Sequence, residues 1–464
     1  MIPFTVAGIT AVVGGTLHGG RGDAVVDGAV EYDSRKVAPG GMFVAFAGAK
    51  VDAHDFAAKA IADGAVVVLG SRPVDGVPTI VVEDPRAALG LLARAVLDRL
   101  GDALTVVAVT GSSGKTSTKD LIAALLRTAG PTVATVASDN NELGTPYTVL
   151  KVTAATRYLV LEMGSRGAGH LAYLCGIAPP DVSVVVNVGT SHIAEFGSLE
   201  GTTLAKGELV EALRPDGLAI LNADDPRVAG MAARSAAPVV FAGEADTAAV
   251  RATGVTDLGR GRFGFTLHVP GTDPVEVRLD VAGRHQVGNA SLAAAVASHA
   301  GVDPATIAAT LGDLDGLSTR RMDVFDRADD VTVIDDSYNA NPASMAAALR
   351  ALVAVAAGRR MIAVLGFMAE LGEYERTAHE EVGRLAAELG VDRLVAVGEQ
   401  AAPILHGASV VASWGGDPVL VTDQEAAVAL LRAELRPRDV VLVKGSRYRT
   451  WDIVDALRVE AAAK

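Results

Sequence analysis

Apolar positions along this chain fall into two alternating patterns: short β-branched runs, and longer Ala- and Leu-rich stretches with helical spacing. Their alternation predicts an α/β fold of sheets covered by helices. Within residues 1–103, strands are expected over 42–47 and 65–69, with helices over 56–62 and 85–100. Residues 104–317 repeat strand–helix units, with strands expected over 106–109, 157–162, 182–187 and 218–221 and helices over 203–213 and 286–300. Period-two alternation over 262–269 and 275–281, around a Pro- and Gly-containing turn, predicts a hairpin at the sheet's edge. Residues 140–146 read as a loop rich in amide side chains. The polar run 317–321 marks a second boundary, beyond which strands are expected over 331–334, 361–365, 394–397 and 440–443. That last unit is doubly wound without a G-x-G-x-x-G, so it is Rossmann-like in shape and makes no claim on a dinucleotide. Three domains are therefore expected: a small N-terminal α/β domain (1–103), a central parallel-sheet domain (104–317) and a C-terminal Rossmann-like domain (318–464).

The central unit opens on T-V-V-A-V-T-G-S-S-G-K-T-S-T-K-D (105–120). A buried strand runs into a turn where Gly111 and Gly114 leave backbone N–H groups open to an anion. Lys115 brings a positive charge, Thr116 a hydroxyl suited to Mg²⁺, and an apolar helix follows whose N-terminus attracts phosphate. The full Walker pattern has a glycine where Val109 stands, so this is a shortened P-loop. A plain Gly/Ser turn would explain the glycines but not Gly-Lys-Thr at the helix entrance.

Composition narrows the classes. Half the residues are hydrophobic and 21% charged, a globular balance, and the net charge of −14 argues against a general nucleic-acid surface. The single cysteine, Cys175, excludes an internal disulfide and suits a reducing cytosol. No window approaches the ~20 apolar residues of a membrane span, so a cytoplasmic protein without membrane insertion is expected. Nothing in the pattern demands an oligomer, and a monomer is expected.

Glu162 and His192 follow strands of the P-loop sheet, at the carboxyl ends where open parallel sheets bind ligands. A carboxylate near Thr116 is what Mg²⁺-dependent phosphoryl transfer needs. Histidine is a poorer magnesium ligand, and a lone histidine after a strand is more often structural. Lys206 can be a solvated helix lysine, or remain cationic and pair with a phosphate or Glu208. The Asp33-Ser34-Arg35 stretch reads most simply as a capped turn.

A wider set of motifs falls in one order: T-G-S-S-G-K-T, N-N-E-L-G-T-P, L-E-M-G-S, N-V-G-T-S-H, A-K-G-E, N-A-D-D-P, G-R-H-Q-V-G-N-A and D-D-S-Y-N-A-N-P. That order resembles the Mur ligases, the ATP-dependent amide-forming enzymes of peptidoglycan precursor synthesis, over nearly the whole chain. N-N-x-x-G-x-P, A-K-G-E, D-D-S-Y-N-A-N-P and M-A-E-L-G are similar to the branch that joins D-alanyl-D-alanine to UDP-N-acetylmuramoyl-tripeptide. The D-N-P-R-type motif of the third-residue branch is absent from the sequence.

The resemblance implies roles. Gly111, Ser112, Ser113, Gly114, Lys115, Thr116 and Ser117 would hold the ATP phosphates, with Thr116 on one Mg²⁺. Glu162 and His192 would complete two magnesium sites, aided by Lys206 as a carbamate. His285 and Asn289 would lie against adenine, Arg320 would reach the phosphates, and Asp336 with Tyr338 would close the last domain over the nucleotide. Ser34 and Arg35 would meet the uridine diphosphate, making 1–103 the UDP-substrate domain and 104–317 the ATP domain. Asn141, Thr145 and Ser165 would line the muramoyl-peptide path, and Asn339 and Asn341 the D-alanyl-D-alanine side. Two positions depart from the family: Phe367 replaces an acidic residue, and D-A-H (52–54) replaces D-G-H. Two rival readings are another ligase of the superfamily, third-residue-adding or folylpolyglutamate-type, and a P-loop ATPase that joins nothing.

Overall fold

The computed structural model describes all residues except 49–50, 190–192, 315–317, 447–448 and 463–464. The N-terminal sheet has the order Thr16–His18, Thr79–Val81, Val67–Gly70, Met42–Val44, Val30–Glu31. Its closing helix, Pro85–Leu100, starts where the sequence places it: Asp84 accepts from the Arg86 N–H, and Pro85 fills the first turn. That helix buries Leu89, Leu92, Ala93 and Val96 in a core shared with Val106, Ala108, Leu159 and Leu161. Hydrophobic packing therefore runs unbroken past position 103 and fixes the first sheet to the second.

The central sheet has nine strands. From one edge they run Thr132–Ala134, Tyr158–Glu162, Thr105–Thr110, Val182–Val185, Leu218–Asn222, Val239–Gly243, Val250–Gly259, Arg262–His268 and Val275–Arg278. The P-loop strand lies inside, with Glu162 beside Val109 and Val185 beside Thr110. The chain moves to one side of it and then returns to the other, so three strands deliver their carboxyl ends to one crevice. The expected hairpin is present and antiparallel, with Val275–Arg278 at the edge.

Two readings are corrected here, and one strand was not anticipated. The helix expected over 203–213 begins at Leu199, because Ser198 accepts from the Gly201 N–H and caps it. The loop expected over 140–146 ends inside the helix Gly144–Val149. Asn141 Oδ1 accepts from the N–H groups of Leu143 and Gly144, which turns the chain into that helix. The long strand Val250–Gly259 carries no regular apolar period: it is bulged, and Gly254 sits at φ 61°.

The C-terminal sheet has the order Asp323–Asp326, Thr332–Asp335, Val440–Lys444, Met361–Gly366, Arg393–Val397, Asp417–Val421. All pairs are parallel except the first. Apolar clusters cover both faces, which is why its inner strands read as unbroken Val/Ile/Leu runs. No helix among the described residues is long and apolar enough to cross a membrane.

Two helices on this sheet, Glu375–Glu388 and Ala402–Ser409, cross at backbone contact. A Cβ on Gly383 would lie 1.7 Å from the Ile404 carbonyl oxygen, and one on Gly407 1.8 Å from that of Glu380. Neither neighbour is a flexible side chain, so the helices would have to separate. Gly383→Ala is expected to cost about 3 kcal/mol of stability, read as a lower urea midpoint; an unchanged midpoint would show that the crossing is not tight.

Candidate active site

The P-loop strand ends at Thr110, and the helix Lys115–Ala129 begins after Gly114. Gly114 has φ +78°, and a Cβ there would come within 3.0 Å of Asn289 Oδ1, so both conformation and space call for glycine. Lys115 Nζ donates to the Gly111 carbonyl at 2.8 Å. Thr116 Oγ1 donates to Glu162 Oε2 at 2.8 Å, and Asn140 Nδ2 donates to Glu162 Oε1 at 2.7 Å. Glu162, only 1% exposed, is thus oriented through both oxygens. Ser138 Oγ stands 3.0 Å from Thr116 Oγ1 and receives Arg321 Nη2 at 2.9 Å.

These groups form the floor of a cleft of about 900 Å³ between the central and C-terminal sheets. Residues Gly111 through Ser117, Asn141, Glu162, Ser165, Lys206, His285, Asn289, Asp336, Tyr338, Asn339 and Asn341 all line it. Arg320 does not. Its guanidinium is 3.1 Å from Asp455 and 5.1 Å over the Trp451 ring, while Arg321 faces the cleft, 4.3 Å over the Tyr338 ring. His192 lies outside the described residues.

The N-terminal residues stand apart from the cleft. Ser34 and Arg35 form a 3₁₀ turn capped by Asp33, whose carboxyl is held down to about 2 by hydrogen bonds from Arg35. The adjoining Glu31 accepts from Tyr147 Oη at 2.8 Å, and Tyr32 meets the Tyr147 ring edge-on at 4.9 Å. The turn is thereby docked on the helix that follows Asn141. Thr145 is fully buried in that helix, and its Oγ1 has no partner among the described residues.

Electrostatics single out Lys206. It is 4% exposed, and its ammonium lies 5.8 Å from the centroid of the Phe196 ring. Burial first, and then the positive charge of Lys115, push its pKa well below the usual lysine value. Glu208 is not its partner, because it accepts from the N–H groups of Gly169 (2.6 Å) and Ala172 (3.1 Å) at the start of the helix His170–Ile177. Desolvation also lowers Lys115, with Glu162 opposing the shift.

Sequence reasoning missed several lining groups. Lys444, 1% exposed, donates to Asp336 Oδ2 at 2.5 Å and to the Asn339 carbonyl at 2.8 Å, which fixes the 336–341 turn. Its signal was present, as a lysine ending an apolar strand run. Asn140 and Asn187 each open one of the ordered motifs, whereas Ser138 and Arg321 stand in none, and nothing in the sequence says which of these polar loop residues turns inward. Phe367 stacks on His379, with centroids 5.3 Å apart, and His379 Nε2 accepts from the Met368 N–H at 2.9 Å. No cluster of three or more His, Cys, Asp or Glu exists among the described residues. Glu162 and Thr116 remain as oxygen donors beside the P-loop, a set that fits Mg²⁺ shared with phosphates.

Family comparisons agree along the chain. The Mur ligase middle domain matches residues 109–297, the Mur ligase glutamate ligase domain 320–447, and the Mur ligase family catalytic domain 28–96. A UDP-N-acetylmuramoyl-tripeptide–D-alanyl-D-alanine ligase of Mycobacterium leprae is 46% identical, with 96% of each chain covered. Crystal structure I of MurF from Acinetobacter baumannii superposes with a TM-score of 0.87 at 31% identity, covering 99% of each chain. The MurF ligase of Thermotoga maritima in complex with ADP gives 0.79 at 28% identity, covering 94% of this chain and 98% of that one.

The environment of Lys206 predicts a stability effect. A lysine whose charge is disfavoured in the fold binds fewer protons folded than unfolded, so stability rises with pH across that window. In buffer free of carbon dioxide, Lys206→Met is expected to stabilise the nucleotide-free protein by about 1–2 kcal/mol at pH 7. The gain should shrink as pH rises toward the unfolded lysine value. Chemical denaturation at several pH values checks this, and a destabilised variant would mean that the amine has a favourable partner.

Proposed function

This chain belongs to the Mur ligase family, and from that membership we infer that it joins D-alanyl-D-alanine to UDP-N-acetylmuramoyl-tripeptide at the expense of ATP, in peptidoglycan precursor synthesis. The observation that carries this reading is end-to-end similarity to ligases of that one activity, on a chain whose P-loop faces the 336–341 turn across one cleft.

The chemistry follows from the parts. A carboxylate is a poor acyl donor, so ATP phosphorylates the tripeptide's terminal carboxylate to an acyl phosphate. The amino group of D-alanyl-D-alanine attacks that carbonyl, and phosphate leaves from the tetrahedral intermediate. The protein's part is positioning and charge neutralisation. Lys115 and the helix entrance meet the phosphates, with Ser112, Ser113 and Ser117 around them. Thr116 and Glu162 would hold Mg²⁺, which neutralises phosphate charge when bound, and Asn140 keeps Glu162 aimed. His192 belongs to this set by family resemblance. His285 and Asn289 face adenine, Asp336 and Tyr338 close over the nucleotide, and Asn339 and Asn341 face the acceptor. Arg320 would have to leave Asp455 to reach phosphate.

In the same reading residues 1–103 bind the uridine-diphosphate end through Ser34 and Arg35, 104–317 bind ATP, and 318–464 bring the acceptor side. Asn141, Thr145 and Ser165 mark the path between. The enzyme works in the cytoplasm, where ATP and nucleotide-linked sugars are available, and as a monomer.

Lys206 acts as a carbamate. The ammonium first gives a proton to solvent. The neutral amine then attacks carbon dioxide, a C–N bond forms as one C=O π bond opens to an oxyanion, and a second proton leaves the nitrogen for solvent. The carbamate anion turns repulsion from Lys115 into attraction and offers oxygen where an ammonium would repel a cation.

With purified UDP-muramoyl-tripeptide and ATP, release of ADP should depend on D-alanyl-D-alanine. Lys115→Ala should fold but lose on the order of 10²-fold or more in rate. Release without an acceptor would favour a plain ATPase, and turnover with a single amino acid instead of the dipeptide another ligase of the superfamily. Lys206→Ala should be nearly inactive and partly rescued by acetate, and the parent should gain the mass of one carbon dioxide under native conditions. A bare ammonium with metal bound would remove the carbamate.

A further inference from the structure

The P-loop is one glycine short of the full pattern, and a residue outside it holds its turn. Asn187 follows the strand Val182–Val185 and lays its amide along the loop. Its Oδ1 accepts from the N–H groups of Ser112 (3.1 Å) and Ser113 (2.9 Å), and its Nδ2 donates to the Ser113 carbonyl (3.1 Å) and hydroxyl (3.3 Å). The Ser112 N–H also reaches the Asn187 carbonyl at 3.0 Å. Beyond it, the Ser112 hydroxyl accepts from the Gly189 N–H at 2.8 Å and donates to the Gly189 carbonyl at 3.1 Å. The segments are so close that a Cβ on Gly111 would lie 3.0 Å from Val186 Cβ.

We propose that Asn187 is a positioning residue for nucleotide binding, a permanent brace that does for this shortened loop what a longer loop does with its own backbone. The inference rests on the reading that the P-loop takes ATP. The alternative is that the amide is a placeholder which phosphate displaces. Donor and acceptor chemistry separates the two. A phosphate could take over the Ser112 and Ser113 N–H groups, but it cannot donate to the Ser113 carbonyl, which Asn187 satisfies at the same time. With those two amides committed to the brace, phosphate is met by Lys115 and by the first N–H groups of the helix, which have no partner within it.

The test compares the parent, Lys115→Ala and Asn187→Ala by calorimetric binding of Mg–ATP and by steady-state ligation. Asn187→Ala should raise Kd and KM for ATP on the order of tenfold, with KM for the UDP-muramoyl-tripeptide unchanged. A merely destabilised protein would instead lose active fraction and leave KM alone. Unchanged or tighter ATP binding would overturn the brace, and tighter binding would identify a placeholder. Should the variant fail to fold, a structure of the parent with Mg–ADP decides: bonds from Asn187 to Ser112 and Ser113 retained support the brace, and the same N–H groups turned onto phosphate oxygens overturn it. A parent that binds no ATP would remove the reading beneath and this inference with it, an outcome distinct from a parent and variant that bind alike.

Discussion

The carboxylate of Glu162 is the constraint on which the site depends. Buried at the end of its strand, it needs a partner for each oxygen, and it finds Thr116 on the P-loop helix and Asn140 on the loop leading to Gly144. Both bonds exist only because parallel pairing places Glu162 beside Val109. A shift of one residue would turn the side chain to the other face of the sheet. The Glu162 N–H in turn reaches Thr135 Oγ1 at 3.0 Å, so a third segment is held to the same point. Sheet register, more than any one loop, sets the chemistry.

Around that anion the chain gathers positive charge against its overall balance. The net charge is −14, yet Lys115, Lys206, Arg321 and Lys444 all line one cleft. Each of the three lysines has its charge disfavoured by burial, and they differ in what offsets it. Lys115 has Glu162 nearby and Lys444 has Asp336, whereas Lys206 meets the like charge of Lys115 and, at 5.8 Å, the face of the Phe196 ring. A site with unbalanced cations is suited to a polyanionic substrate. Local field rather than net charge decides what binds.

The sheets also explain how distant segments act together. The helix Pro85–Leu100 welds the N-terminal sheet to the central one through a common core, so the Ser34–Arg35 turn keeps a fixed relation to the helix carrying Tyr147. The C-terminal sheet is joined to the central one by polar ties and by Ala282, which packs in the apolar cluster that holds Ala351, Leu352 and Val355. Asp120 accepts from the Ser318 N–H at 2.9 Å, and Arg321 reaches Ser138. Polar links of this kind can be exchanged with water, whereas a shared apolar core cannot.

Sequence alone determined whatever depends on local pattern. Buried parallel strands announce themselves as β-branched runs, amphipathic helices by their period, and the P-loop by Gly-Lys-Thr at a helix entrance. The strands near 105–110 and 440–444, the helix Pro85–Leu100 and the edge hairpin were all legible for that reason. The bulged strand Val250–Gly259 was not, because its second half is exposed and its register with Arg262–His268 is broken by bulges. Only the tertiary structure decided which polar side chains meet. That Asn187 grips Ser112 and Ser113, that Arg321 rather than Arg320 faces the cleft, and that Glu208 caps a helix instead of pairing with Lys206 are facts about neighbours far apart in the chain. A hydrogen bond is satisfied by whatever lies within about 3 Å, and sequence spacing carries no record of that distance once the chain has crossed from one strand to another.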